Sequence, residues 1–293
     1  MNDHVPERDG APQVDVPYRI DWRAAGVRIG AHRGKIEGAG GLFRDYDFLL
    51  RSQDPRRIDL RMSLRDPFGT LYVKRFEQQT SITGYALVDL SGSMGFVGRA
   101  DKMQVVADLC GALAASARRI GDAFGLIGCA DKILPEFFVP ATRSRGGEAD
   151  MVANLRRYVP QGDSAEGLVE GANYLAGSRK LVFLISDFYL PLGLTERVFE
   201  ALSPHDVIPI VLRDPLELKD LPRYGLVSLA DLETGGQRLL VMRPSLRTAL
   251  LQEETAAAKA LHALATRYGR PPFYVIGPVD WDGFGAYLMG EAA

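Results

Sequence analysis

Cysteine is nearly absent from this sequence: Cys110 and Cys129 are the only two in 293 residues, each inside an apolar stretch, VVADLCGAL and FGLIGCA. A pair so placed has neither metal-ligand spacing nor the density of a disulfide framework, so two buried thiols in a reducing compartment are expected. Histidine is also scarce. His4, His32, His205 and His262 are the four present, none beside a nucleophile motif, which argues against a serine or cysteine hydrolase that needs a positioned base. No GxxxxGK loop followed by Ser or Thr occurs, so any coupled ATP hydrolysis belongs to another protein. No stretch reaches the roughly 18 uninterrupted apolar residues of a membrane helix. The opening MNDHVPERDGAPQVDVP is acidic and proline-bearing with no apolar centre, so neither a secretory signal nor membrane insertion is expected, and a cytoplasmic location follows.

Net charge is low as well, at −2, with 25% charged and 46% apolar residues, the profile of a folded chain rather than a disordered one. The charge is uneven: residues 15–80 carry 13 Lys and Arg against 9 Asp and Glu, and residues 81–293 carry 21 against 25. In the first region Arg56, Arg57, Arg61 and Arg65 alternate with Asp54, Asp59 and Asp66. Mixed signs of this kind fit a protein-docking face better than a nucleic-acid groove, so no nucleic-acid partner is expected and Arg56 and Arg57 become candidate partner-binding residues.

Pattern then divides the chain. Residues 1–14 are short and polar and are expected to form a disordered tail. Residues 15–80 hold β-prone runs, RIDLRMSL and TLYVKRF, around the glycines of GKIEGAGGLF, and suggest a small β-rich lobe with a flexible turn at the glycines. Residues 81–293 alternate apolar strands with helical periods. This is how an α/β fold with a mostly parallel central sheet flanked by helices is written. Strands are expected at YALVDL, FGLIGCA, ILPEFFV, KLVFLISDF, VIPIVLR and FYVIG, with a hairpin at LVSLADL and RLLVM. Helices are expected near 100–120, 149–158, 165–176, 195–202 and 245–268.

Ligand chemistry in such sheets sits at the carboxyl ends of strands. There the sequence reads D-L-S-G-S, placing Asp89, Ser91 and Ser93 on one tight loop, and a second strand ends in Asp187. Carboxylate and hydroxyl oxygens are hard ligands, suited to magnesium first, and also to manganese or calcium. Serine and aspartate at such a place also serve as simple helix caps; the preceding buried strand and the distal aspartate favour a metal site.

DLSGS resembles the DxSxS signature of the metal-ion-dependent adhesion site in von Willebrand factor A domains, and LISDF is similar to that family's distal aspartate. The resemblance implies Ser91 and Ser93 as direct ligands, with Asp89 and Asp187 as charged support. It also implies a third ligand from an intervening loop. PQGDSAEGL departs from the usual GTD and offers Ser164, or Asp163 under a one-residue shift. A wider resemblance, carried by the glycine run at 38–41, DPRRIDL and LYVKRFE, is to bacterial A-domain proteins encoded beside MoxR-type AAA+ ATPases, and within them to the MxaS type of methanol-oxidation clusters. It implies a non-catalytic adaptor that joins a MoxR-type ATPase to a client bearing an acidic residue, in maturation or metal insertion of an enzyme such as methanol dehydrogenase. A metal-dependent hydrolase or phosphatase using the Asp89/Ser91 loop, and a scaffold with a vestigial site, stand as alternatives; a haloacid-dehalogenase-type nucleophile loop would need aspartate where Ser91 stands.

Overall fold

A computed structural model describes residues 14, 16–25, 28–51, 54–98, 100–144, 146–162, 164–214, 225–230 and 237–290. The expected tail lies outside these apart from Val14, and so does Asp163. The chain forms two compact units, residues 20–82 with 120–122, and residues 83–119 and 123–290 with the described residues up to Arg19.

The smaller unit is built on a ribbon of β1 (Ile29–Phe48) and β2 (Tyr72–Thr80), paired antiparallel. The glycine run does not form the expected turn. Glu37 and Leu42 both pair with Glu77, so the residues between them are a bulge within β1, where glycine's missing Cβ makes the irregular backbone cheap. RIDLRMSL also departs from the strand expectation: it contributes to a 3-10 turn (Pro55–Arg57) and to α1 (Leu60–Ser63). The cause is local. Asp59 precedes the helical turn and its carboxylate accepts from the backbone N–H of Arg61 and Met62, capping donors that a strand would have aimed elsewhere. Lys74 at 2.9 Å and the Tyr46 hydroxyl at 3.1 Å reach the same carboxylate, holding it at about 2 through the Lys74 bond first and the backbone bonds next. Within this unit His32 Nε2 lies 2.7 Å from Asp122 Oδ2, and the other oxygen accepts from Ile82 N.

The larger unit carries a six-stranded sheet of β3 (Thr83–Asp89), β4 (Ala123–Cys129), β5 (Ile133–Thr142), β6 (Leu181–Ser186), β7 (Asp206–Arg213) and β10 (Phe273–Ile276). Its order is β10-β7-β6-β3-β4-β5, parallel throughout except for the antiparallel edge strand β5. The remaining strands, β8 (Gly225–Ala230) and β9 (Gln237–Met242), pair as the expected hairpin. Helices α2 (Lys102–Arg119), α3 (Glu148–Arg157), α4 (Gly167–Tyr174), α5 (Leu192–Leu202), α6 (Pro244–Tyr268) and α7 (Trp281–Met289) complete the unit. The α/β class and the mostly parallel sheet are thus as the sequence indicates.

Strands β3, β4 and β6 are buried along nearly their whole length, as a sheet covered on both faces requires. Tyr85 and Leu87 of β3 pack in one core with Leu168 and Ala172 of α4, Val198 and Phe199 of α5 and Leu261 and Leu264 of α6. Each fully buried Leu or Phe here contributes about 1.5–3 kcal/mol relative to exposure. Gly171 permits the close approach of α4: a Cβ there would lie 2.7 Å from Leu87 Cδ1 and 3.0 Å from Cys129 Sγ. On α2, Val106, Leu109, Cys110 and Leu113 are fully buried, which is the 3.6-residue period visible in the sequence.

The strand order explains where the site lies. From β3 the chain runs outward through β4 to β5, then returns to place β6 on the other side of β3. In sheets with such a reversal, ligand sites lie at the carboxyl ends of the two strands that flank it, here β3 and β6. Asp89 closes β3 and Asp187 follows β6.

Candidate functional site

The loop after β3 turns at once into a 3-10 turn, Gly92–Gly95, entered from Ser91. Asp89, Ser91, Ser186 and Asp187 are all fully buried. Asp89 Oδ1 accepts from the Ser91 N–H at 2.9 Å, and Oδ2 accepts from the Ser186 hydroxyl at 2.7 Å. Ser186 Oγ in turn accepts from Phe188 N at 2.8 Å, and Asp187 Oδ1 accepts from Tyr189 N at 3.1 Å. The loops after β3 and β6 are therefore joined through Asp89 and Ser186. Phe188, between these contacts, has φ 53°, a left-handed conformation that costs a bulky residue about 1–2 kcal/mol and persists only where its surroundings over-determine it.

Ser91 is no simple cap: as N-cap of the 3-10 turn its side chain makes no capping bond, and its Oγ lies 3.4 Å from Ser93 Oγ. The two hydroxyls thus sit side by side next to a buried carboxylate. Burial pushes the Asp89 carboxyl up to about 6, and the charge of Asp187 adds to this, while hydrogen bonds from Ser91 and Ser186 work against it. Carboxyls held out of water beside one another lack a compensating positive charge.

Part of that charge comes from Lys102, a residue the sequence reading passed over. Its ammonium lies 2.8 Å from Asp187 Oδ2 and 3.3 Å from the Ser93 carbonyl oxygen, with the rings of Phe96 and Tyr189 each centred 5.7 Å away. Lys102 is the first residue of α2, whose N-terminus is capped by Asp101 through Met103 N at 2.8 Å. A cation at a helix N-terminus opposes the helix dipole by about 0.3–1 kcal/mol. That misplaced charge is the signal in the sequence that a buried anion waits for it. Ser186 was also missed; strand position puts its hydroxyl level with Asp89.

Ser164 belongs to the neighbouring loop, which meets the DxSxS loop where Gly92 N donates to the Gly162 carbonyl at 3.1 Å. Its own hydroxyl accepts from Glu166 N at 3.1 Å, a local turn bond. Arg56 and Arg57 lie in the smaller unit: Arg56 is exposed, and Arg57 pairs with Asp54 at 3.1 Å. Among the described residues no three His, Cys, Asp or Glu side chains converge as a metal group. A cation held here depends on Asp89 and Asp187 for charge and on Ser91 and Ser93, with water, for its remaining positions. That donor set is oxygen throughout and fits a hard divalent ion.

An uncharacterised protein of Mycobacterium tuberculosis is 25% identical over 257 residues, covering 85% of this chain and 76% of the relative. An uncharacterised protein from the moxR 3′ region of Paracoccus denitrificans is 35% identical over 106 residues, 36% of this chain and 99% of that protein. Among solved structures, BatB from Bacteroides thetaiotaomicron is similar at 13% identity and a TM-score of 0.42, over 71% of this chain and 96% of that one. No helix among the described residues is long and apolar enough to cross a membrane. The model of a family described as proteins of unknown function, DUF58, matches residues 44–260, and the chain belongs to that family.

Proposed function

We propose that this chain is a non-catalytic, metal-dependent protein-interaction module of the von Willebrand A type, working in the cytoplasm as an adaptor between a MoxR-type AAA+ ATPase and an acidic client enzyme that it helps to mature. The observation that carries this reading is the convergence of Asp89, Ser91 and Ser93 with Asp187 at the reversal of strand order. The gene setting of the Paracoccus denitrificans relative supports the ATPase as partner. The two buried thiols, Cys110 pushed up to about 12 by burial, suit a reducing compartment.

A divalent ion bound at this site supplies a positive centre that attracts a carboxylate from the client. The chain's own residues do the rest. Asp89 is fixed by Ser91 N and Ser186 Oγ, and so presents its charge in one orientation. Ser91 and Ser93 keep hydroxyls on the same side of the loop. The described histidines are occupied or remote: His32 faces Asp122, His205 Nδ1 faces Lys180 N, and His262 lies exposed on α6. None is hydrogen-bonded to Ser91 or Ser93, so a serine-nucleophile reading has no base in place.

Calorimetric titration of magnesium, manganese and calcium into metal-stripped protein tests the proposal. Wild type is expected to bind one ion saturably and Ser91→Ala to lose it, with capture of a MoxR-type ATPase or its client abolished by EDTA. Equal binding by both proteins, or a complex indifferent to EDTA, would overturn it.

A further inference from the structure

A divalent-ion site built from two carboxylates usually leaves them to repel each other until the ion arrives. Here one of the two, Asp187, already has a cation beside it. The Lys102 side chain is 4% exposed and the Asp187 side chain is fully buried, and the two are in contact at 2.8 Å. The same ammonium reaches the Ser93 carbonyl, so it ties the end of β6 to the loop that carries Ser91 and Ser93. Phe96 and Tyr189 flank the ammonium with their ring faces, a setting that favours a cation. These are the two edges that an ion between Asp187 and the serine loop would join.

We propose that Lys102 is the resident cation of the site: its ammonium holds Asp187 against the serine loop in the metal-free protein, and a divalent ion binds by displacing it. The inference rests on the metal-site reading above and adds to it a competitor within the chain. Lys102 sets the affinity in two ways. It pre-forms the site, so the loops do not have to be ordered on binding, and it opposes the incoming charge, so that an ion binds only where its gain exceeds the lost ion pair. Two like charges within about 4–6 Å in a buried setting alter each other's binding by at least roughly tenfold. The module is thereby a weak, reversible ion binder whose metal-free state is already folded at the site.

The test is calorimetric titration of Mn2+ into the metal-stripped full chain, comparing wild type with Lys102→Met and Lys102→Gln, the second of which keeps a donor for Asp187 without the charge. Both variants are expected to bind Mn2+ at least tenfold more tightly, and Ser91→Ala added to either should abolish the gain. Wild type is also treated with acetic anhydride and mapped by mass spectrometry: Lys102 is expected to be protected without Mn2+ and acetylated at saturating Mn2+. Wild-type binding with a gain in both variants that Ser91→Ala abolishes supports the proposal, and binding by the variants where wild type shows none overturns displacement by the ion. Wild-type binding with no gain in either variant overturns it and leaves the metal site standing. Absence of binding in all three proteins overturns both, and a gain that survives Ser91→Ala shows binding elsewhere and also overturns it. Should neither variant fold, an acetylation pattern at Lys102 unchanged by Mn2+ overturns the displacement on wild type alone.

Discussion

Ser186 donates its hydroxyl to Asp89 Oδ2 at 2.7 Å and accepts Phe188 N at 2.8 Å, so one small side chain orients the central carboxylate and pins the left-handed turn that follows β6. Ser186→Ala leaves a buried carboxylate oxygen and a buried N–H each short of a partner. The expected cost is about 1–3 kcal/mol for each buried group so stranded, read as a lower denaturation midpoint in urea. The variant should also weaken Mn2+ binding, because Asp89 loses one of its two fixed contacts. An unchanged midpoint would show that water or a rearranged loop replaces the hydroxyl without loss.

Asp89 serves the site at the expense of the fold. Its carboxyl is pushed up to about 6 chiefly by burial, so at neutral pH the folded state holds a charge it would rather neutralise. Asp89→Asn removes that burden while keeping shape: its oxygen still accepts from Ser91 N, and its NH2 faces Ser186 Oγ, whose own proton must turn away. In the metal-free protein at pH 7.5 its melting temperature is expected to equal or exceed that of wild type, while Mn2+ affinity falls at least tenfold. A large loss of melting temperature would mean that the carboxylate is needed for folding, and that stability and ion binding are not separable at Asp89.

How much of this was legible in the sequence depends on the range of the interaction. Strands β3, β4 and β6 are uninterrupted apolar runs, and α2 shows its buried stripe, so those elements were visible from local pattern alone. The helical turn at Leu60–Ser63 reads as strand by local preference, and its Asp59 cap outweighs that preference. Helix α7 went unread: glycines at 283 and 285 mask its period, although Asp280 accepting from Gly283 N marks its start. Within the site, Asp89, Ser91 and Ser93 are sequence neighbours and announced themselves. Lys102 and Asp187 are 85 positions apart, and only the strand order brings them together.

His205 provides a pH signature away from the site. The ring is buried, and burial first, then the positive charges of Lys180 and Arg179, lowers its affinity for a proton. The unfolded chain therefore binds a proton that the native state resists, so stability is full above the unfolded value of about 6.5 and declines as pH falls below it. His205→Gln is expected to flatten the urea midpoint between pH 7.5 and 5.5 relative to wild type. Parallel declines in the two proteins would assign the acid sensitivity to other groups.

The smaller unit offers a test of docking whose variants keep Asp89, Ser91, Ser93 and Asp187 unchanged. Its segment 50–68 exposes Leu50, Leu60, Leu64 and Phe68 among arginines, of which Arg56 projects from a turn capped by Asp54. Exposed leucine and phenylalanine beside arginine suit a protein interface. Arg56→Glu and Phe68→Asp are expected to weaken capture of a MoxR-type ATPase at least fivefold without moving the melting temperature, since neither side chain is buried. Arg57→Glu should cost some stability too, because it replaces the pair with Asp54 by a repulsion. Undiminished capture by all three variants would move the ATPase contact elsewhere on the chain.

Ser164 separates a ligand from a turn-former. Its hydroxyl accepts from Glu166 N at 3.1 Å, at the entry to α4, so the side chain is already committed to a local bond. Ser91 and Ser93, by contrast, face one another with no such capping bond at Ser91. Ser164→Ala is accordingly expected to cost about 0.5–1 kcal/mol of stability, as the loss of a short turn bond does, and to reduce Mn2+ affinity less than threefold. Ser91→Ala should reduce it at least tenfold with little loss of stability. If Ser164→Ala proves as damaging to binding as Ser91→Ala, the loop after Gly162 supplies a ligand directly, and its hydroxyl must leave Glu166 when the ion binds.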